Sequence, residues 1–258
     1  MMGFSNGRTL SLPDRILFNL DAENRKCYSG SGTTAYDSIT GTSLSLNNGV
    51  GYTAPAFTFD GADDQIKASA IISGMDFQYT DEFTIEVMVK IKEDGPGTFF
   101  NNRGASSGGQ NYRGWGMWTT SSPTRIKGAL GTYPSAHRWV SSTSTEADFD
   151  NIVLNKWCHV VYSYAGNGIE ATLFLNGEDK TDYDNPDNDN TADIYDADNE
   201  ALVIVYDSDN LLSLGLDSYD DNAWESFCEI GFARVYNVAL TPAEVKNNFA
   251  AARGRFGL

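Results

Sequence analysis

Among the side chains able to do chemistry, carboxylates dominate: 35 Asp and Glu stand against 18 Lys and Arg in 258 residues. Two carboxylates facing each other across a glycosidic bond make a glycosidase. Glu86 stands alone in an apolar run, and Glu225 and Glu229 flank apolar and cysteine residues. Structural roles are therefore expected of all three. The two histidines, His137 and His159, are near no G-x-S-x-G elbow, so a Ser-His-Asp hydrolase finds no support. The three cysteines, Cys27, Cys158 and Cys228, are far apart and form no CxxC motif. They cannot all pair within one chain, and are expected as reduced thiols acting as small hydrophobes. Without Cys/His clustering, zinc has no footing.

Two further groups suit binding. Asp182, Asp184, Asp187, Asp189, Asp196 and Asp198 recur in D-x-D spacings within an Asp/Asn-rich stretch running to Glu200. Such spacing can aim several oxygens at one hard cation, with Asp187 and Asp189 as the candidate calcium ligands, although no EF-hand loop is present. A solvated acidic loop is the favoured alternative. Tyr112, Trp115, Trp118, Tyr133 and Trp139 fall in a Gly/Ser-rich middle region. Trp115, Trp118, Tyr133 and Trp139 are the candidate platform for a sugar ring or a protein surface. The alternation of Trp115 and Trp118 with Gly114 and Gly116 suits inner-sheet packing as well, and packing is the first expectation.

The elements that would position these residues are strands. Arg15–Asp21 is a short apolar run, and Phe57–Asp60 alternates before breaking at Gly61. Phe83–Ile91 has the clearest period of two, placing Phe83, Ile85, Val87, Val89 and Ile91 on one face. Trp157–Tyr164 has the same character. Asn167-Gly168 then turns into Ala171–Leu175, which closes at Asn176-Gly177, the chemistry of an antiparallel meander. Further strands are expected at Ile204–Tyr206, Leu212–Leu216 and Glu229–Tyr236. Thr241, Pro242 and Glu244 form a capping box with proline at the first helical position. The helix they open, Thr241 to Ala252, is expected on the outside of the sandwich, where it could cover an open end, with Gly254 as its stop. About a dozen strands and one short helix make an all-β class.

The formal charge is −17. A surface this acidic repels nucleic-acid phosphates and anionic lipid, so neither is an expected partner. Met1 to Asp14 lacks the apolar run of a signal peptide, and no stretch approaches the roughly 18 apolar residues of a membrane helix. The expectation is a soluble protein made in a cytoplasm.

Three blocks resemble the laminin-G-like, concanavalin A-like jelly rolls found in bacteriophage structural proteins. The first is Asn19–Thr34, followed by Tyr36-Asp37. The second is Phe57–Asp64, close to the family's FDG-x-x-D turn. The third is Gly231–Glu244, which runs into Asn247-Asn248-Phe249 and ends Arg255-Phe256-Gly257-Leu258. Asn155–Val160 and Leu175-Asn176-Gly177 resemble the family's central hairpin. The resemblance implies a two-sheet antiparallel jelly roll with a short C-terminal helix. It would form one domain over 1–258: an arm at 1–13, the sandwich at 14–252 and a tail at 253–258.

The same resemblance implies a non-enzymatic virion protein made in the host cytoplasm, serving as capsid decoration or as a tail or fibre component. It would be oligomeric in the particle and joined to other virion proteins, with Met1–Leu12 and Ala252–Leu258 as candidate contact segments. A lectin-like binder of cell-surface glycans is the alternative, and a glycan hydrolase a weaker one, since the E-x-D-x-x-E pattern of glucanase members does not occur. The chain departs from the family twice, with Ala35 where a Trp is common and Gly231 where an acidic residue is common. That acidic residue helps relatives hold calcium, so no calcium site is expected to be inherited there.

Overall fold

The computed structural model describes residues 15–104, 113–120, 125–131, 137–141, 154–166, 171–181, 206, 211–216 and 225–258. The first strands are β1 (Ile16–Asp21), β2 (Thr34–Tyr36), β3 (Ser43–Asn47), β4 (Gly51–Thr53) and β5 (Ala56–Asp60). They continue as β6 (Gln65–Ala68), β7 (Glu82–Ile91), β8 (Gly97–Gly104), β9 (Arg113–Thr120) and β10 (Arg125–Gly131). The chain closes with β11 (His137–Ser141), β12 (Trp157–Ala165), β13 (Ala171–Leu175), β14 (Glu178–Asp179), β15 (Ser213–Leu214), β16 (Phe227–Tyr236) and helix α1 (Pro242–Phe256).

The strands form two eight-stranded sheets, antiparallel throughout. The first is ordered β14-β13-β12-β7-β16-β5-β4, with β1 also paired to β16; the second is ordered β11-β10-β9-β8-β15-β6-β3-β2. On one edge of β16, β5 takes Phe227–Ile230 and β1 takes Phe232–Tyr236, so two strands lie end to end beside a single long one. The fold is a two-sheet jelly roll with one C-terminal helix, as expected of the all-β class.

The period-2 reading of β7 holds: Phe83, Ile85, Val87, Val89 and Ile91 all lie in the main core. Facing them is the aromatic layer expected of a sandwich interior. Phe77 stacks on Phe83 at 4.5 Å and 7°, and Trp115 meets Phe100 edge-on at 5.3 Å. Turn chemistry follows the sequence too. Asn176 and Gly177 have φ of 52° and 81°, the double left-handed pair of a tight hairpin. Asp37, of the Tyr-Asp pair, is buried and accepts the N–H groups of Asn19, Ile39 and Thr40, which fastens its loop to β1. Cys27, Cys158 and Cys228 are buried free thiols. Burial pushes Cys158 up to about 12 and Cys228 higher still, so neither is a thiolate nucleophile at neutral pH.

Helix α1 differs from its expected course in two ways. The capping box is present in full, with Thr241 as N-cap. The helix does not stop at Gly254, however, but runs on to Phe256 and is closed by Gly257 in the left-handed conformation at φ 72°. A glycine inside a helix costs only about 1 kcal/mol, and contacts further along repay it. The first part of the expected 253–258 tail is therefore helix. Secondly, α1 lies on the outside of the sandwich as expected, but against the outer face of the first sheet rather than over an open end. Val245 joins Val161, Phe174, Tyr236 and Leu240 in one cluster, and Phe256 joins Met88 and Phe232 in another. Strands β7 and β16 are consequently buried on both faces.

Gly231 is the hinge of this arrangement. It sits at a register shift in the β16–β7 ladder, and a Cβ built there would stand 2.4 Å from the Phe256 ring. Gly231→Ala is expected to cost about 1–3 kcal/mol by overpacking. Measured by denaturant unfolding, the double variant Gly231→Ala/Phe256→Ala should cost clearly less than the sum of the single ones. Strict additivity would show that the ring contact does not set the residue at 231.

Candidate functional site

Trp115 and Trp118 of the expected aromatic platform do not share a face. Trp115 and Trp118 are three residues apart on β9, so the period of two sends them to opposite faces of the sheet. Trp115 is fully buried in the core, its Nε1 donating to the Met75 carbonyl at 3.1 Å. Trp118 is 4% exposed, with the Arg103 guanidinium 5.5 Å from its ring. A ring enclosed on both faces cannot stack on a ligand, and packing is the role the structure assigns to both. Trp139 stands in β11 opposite Ala129 and His137 opposite Gly131. Several expectations lie outside the described residues. These are Tyr112 and Tyr133, the Asn167-Gly168 turn, Ile204-Val205, the arm 1–13, and the acidic stretch with Asp187 and Asp189.

The carboxylate that read as solitary is the centre of a buried polar cluster. Glu86, on the outer face of β7, has no exposed side-chain surface. Its Oε1 lies 2.7 Å from Nε2 of His159 on β12. Its Oε2 accepts from the Tyr236 hydroxyl and, at 3.3 Å, from the Asn248 amide of α1. The Arg234 guanidinium lies 3.5 Å from Oε2 and ties the cluster to β1 by donating from Nε to Asn19 Oδ1 at 3.0 Å. Burial alone would raise the Glu86 carboxyl. The Arg234 charge, with the His159 and Tyr236 contacts, outweighs it and holds the group at about 2.

A Glu-His pair at 2.7 Å has the form of an acid-base couple. Proton transfer to a substrate, however, needs hydrogen-bond reach of the reacting atom, and both side chains are sealed beneath α1. His159 stacks on Phe249 of the helix at 5.8 Å. The cluster holds the helix on the sheet. Glu229 is engaged as well, by Lys90 and Lys92 at 2.6 Å each. The structural reading of Glu86 and Glu229 is the one the geometry supports.

Gly231 stands where relatives carry the acidic residue that helps hold calcium. Asp21, Glu23 and the Gly231 carbonyl do converge there, but on a guanidinium. Arg255 makes a bidentate pair with Asp21 at 2.8 Å and 2.8 Å, lies 3.1 Å from Glu23, and donates to the Gly231 oxygen at 3.3 Å. The last turn of α1 thus satisfies these oxygens with a cationic side chain, and Phe256 takes the space of the missing acidic side chain. The residues do not fit a metal at this place.

An accessible cleft of about 270 Å³ lies between the β7–β8 loop and the start of β16. Its walls include Glu93, Asp94, Pro96, Thr119, Glu225 and Phe227. Thr119 Oγ1 donates to the Gly95 carbonyl at 2.7 Å, which holds the loop in place. Phe227 is 41% exposed, and the Lys92 ammonium lies 5.6 Å from its ring. An exposed aromatic beside carboxylates can meet the C–H face of a polyol while accepting its hydroxyls.

A family model described as the concanavalin A-like lectin/glucanase superfamily, laminin-G type, matches residues 59–246. The chain belongs to this superfamily. Solved structures agree on the fold. The binding domain of Paraclostridial Mosquitocidal Protein 1 superposes with a TM-score of 0.65 at 15% identity, over 93% of this chain and 52% of that one. The botulinum neurotoxin serotype D binding domain gives 0.62 at 14%, over 94% and 53%. Trypanosoma rangeli sialidase in complex with sialic acid gives 0.59 at 14%, over 94% and 34%. The chain spans about half the length of the two toxin domains and a third of the sialidase. No curated protein sequence matches significantly. The superfamily rests on the family match, and the superposed structures are toxin binding domains and a sialidase rather than phage proteins.

The Glu86 cluster carries a pH prediction. A free glutamate titrates near 4.5, and the folded protein holds Glu86 at about 2. Its ionised form therefore stabilises the fold fully above pH 4.5, by roughly 3 kcal/mol, and that contribution fades as the pH falls towards 2. Glu86→Gln is expected to lower the melting temperature at pH 7, leaving Arg234 uncompensated, and to flatten the stability loss between pH 4.5 and 2. An acid limb of unchanged slope in the variant would place the acid sensitivity elsewhere.

Proposed function

We propose that the protein is a non-catalytic recognition component of a bacteriophage particle, held among other virion proteins and presenting the cleft end of its sandwich to a partner. The observation that carries the non-catalytic part is the sealing of Glu86 and His159 beneath α1. The virion part rests on the resemblance of the opening block and of the Asn-Phe and Arg-Phe-Gly-Leu ending to phage members. Capsid decoration and a tail or fibre position both agree with it.

A lectin-like reading of the same surface is favoured by Phe227 and the carboxylates around it. The superposed toxin domains are binding domains, which supports recognition as a use of this fold. With Glu93, Asp94 and Glu225 in the walls, the glycan would be neutral, because a sialylated or sulfated one meets like charge.

Quantitative mass spectrometry of purified particles tests the first reading. Hundreds of copies mean decoration and a few to tens mean tail or fibre, while absence from the particle overturns the virion role. A glycan array on the isolated protein tests the second. Binding of a neutral glycan should weaken about fivefold to tenfold in Phe227→Ala, the worth of one aromatic contact. Hydrolysis of any bound glycan would refute the non-catalytic reading outright.

A further inference from the structure

The FDG turn that joins β5 to β6 holds a second group of oxygens, remote from Arg255. Asp60, Asp63 and Asp64 each place one carboxylate oxygen within 4.8 Å of the others. The turn has internal bonds: Asp60 Oδ1 accepts from Ala62 N at 2.9 Å, and Asp64 Oδ2 accepts from Asp60 N at 2.9 Å. Those bonds explain the turn but not the other oxygen of Asp64. This residue is 5% exposed, and its Oδ1 is removed from solvent with no hydrogen-bond partner. A buried carboxylate oxygen left unpartnered is costly, and here it also faces two neighbours of the same sign.

The unpartnered oxygen of Asp64 lies against a neighbouring turn. It adjoins Gly49 of the β3–β4 turn, where a Cβ would stand 3.3 Å from Oδ1. That turn is fastened over the acidic group by Asn48, whose amide donates to the Asp63 carbonyl at 2.9 Å. From these observations we infer that Asp60, Asp63 and Asp64 bind one divalent cation. The oxygen-only donor set selects a hard ion, and an irregular turn suits calcium, which accepts flexible geometry and completes its shell with water. Magnesium demands stricter octahedral geometry and binds less well. Bound there, the ion neutralises the buried Asp64 and locks the FDG turn, whose Gly61 also borders the cleft. The cation site stands whether or not the cleft binds a glycan.

The test uses the whole chain, stripped with EDTA and titrated with calcium or magnesium while the melting temperature and calorimetric binding are followed. A rise of several degrees at about 5 mM calcium is expected, and a smaller one with magnesium. Asp63→Asn alters an exposed residue, so the metal-free protein should melt as before while most of the calcium response disappears. Asp64→Asn should raise the metal-free melting temperature by removing the buried charge, and should likewise lose the response. If that variant fails to fold, Asp63→Asn alone decides. No calcium response in the parent protein, or a response that survives Asp63→Asn, overturns the inference; the latter moves the ion elsewhere, for instance to the acidic stretch 182–200. A crystal grown with manganese must show anomalous density at the turn, and an ordinary water there instead would be equally fatal.

Discussion

Strand β7 is buried on both faces, and the carboxylate on its outer face, Glu86, stays ionised where water does not reach. Removing such a charge from water costs several kcal/mol, so its partners must arrive together and in good geometry. They come from three elements: His159 from β12, Arg234 and Tyr236 from β16, and Asn248 from α1. Apolar clusters around Val161–Val245 and Met88–Phe256 flank the group and keep solvent out. The helix, the central strands and the charge therefore depend on one another. Undocking α1 would expose two apolar clusters and at the same time remove a hydrogen bond from an ionised group.

What could be read from the chain and what could not follows from the range of each interaction. The inner face of β7 shows in its alternation, and the capping box at Thr241 shows within four residues. The meander turn at Asn176-Gly177 shows as a dipeptide. Trp115 and Trp118 could have been separated on the same grounds, since an odd spacing on a strand means opposite faces. The Glu86 cluster is another matter. Its hydrogen-bonding partners stand 73, 150 and 162 residues away, and the outer-face row Thr84, Glu86, Met88 has the pattern of a solvated face. Glu86 appeared solitary because sequence distance hides pairing across strands. The stop expected at Gly254 failed for a related reason. Intrinsic propensity penalises glycine by about 1 kcal/mol, while burial of Phe256 is worth about 1.5–3 kcal/mol and lies outside any local window.

The departure at Gly231 and the unexpected length of α1 have one explanation. Relatives with an acidic residue in the last strand can direct it, with neighbouring oxygens, at a cation. In this chain the helix continues far enough to bring Arg255 to Asp21, Glu23 and the Gly231 carbonyl, and Phe256 to the space above Gly231. A helix ending at Gly254 would deliver neither. The bidentate guanidinium supplies fixed, directional charge that needs no ion from solution. Here the oxygens of Asp21, Glu23 and Gly231 hold the C-terminal turn through Arg255.

The charge balance of the described surface bears on the kind of partner the protein can meet. Its cations are heavily engaged in holding the fold: Lys90 and Lys92 on Glu229, Arg234 on Glu86, Arg255 on Asp21 and Glu23, and Arg15 on Glu244. The formal charge of −17 leaves the chain with a large excess of carboxylates over cations. The cleft and the adjoining FDG turn lie at one end of the sandwich and are both acidic. A partner docking there must be neutral, must carry positive charge, or must meet a surface whose charge a bound cation has already reduced. The last case joins the two proposals physically, because a divalent ion at Asp60–Asp64 would remove about two negative charges from the rim of the cleft. Recognition at that end would then be strengthened by calcium without the ion touching the ligand, through the electrostatics of the approach rather than through a coordinate bond.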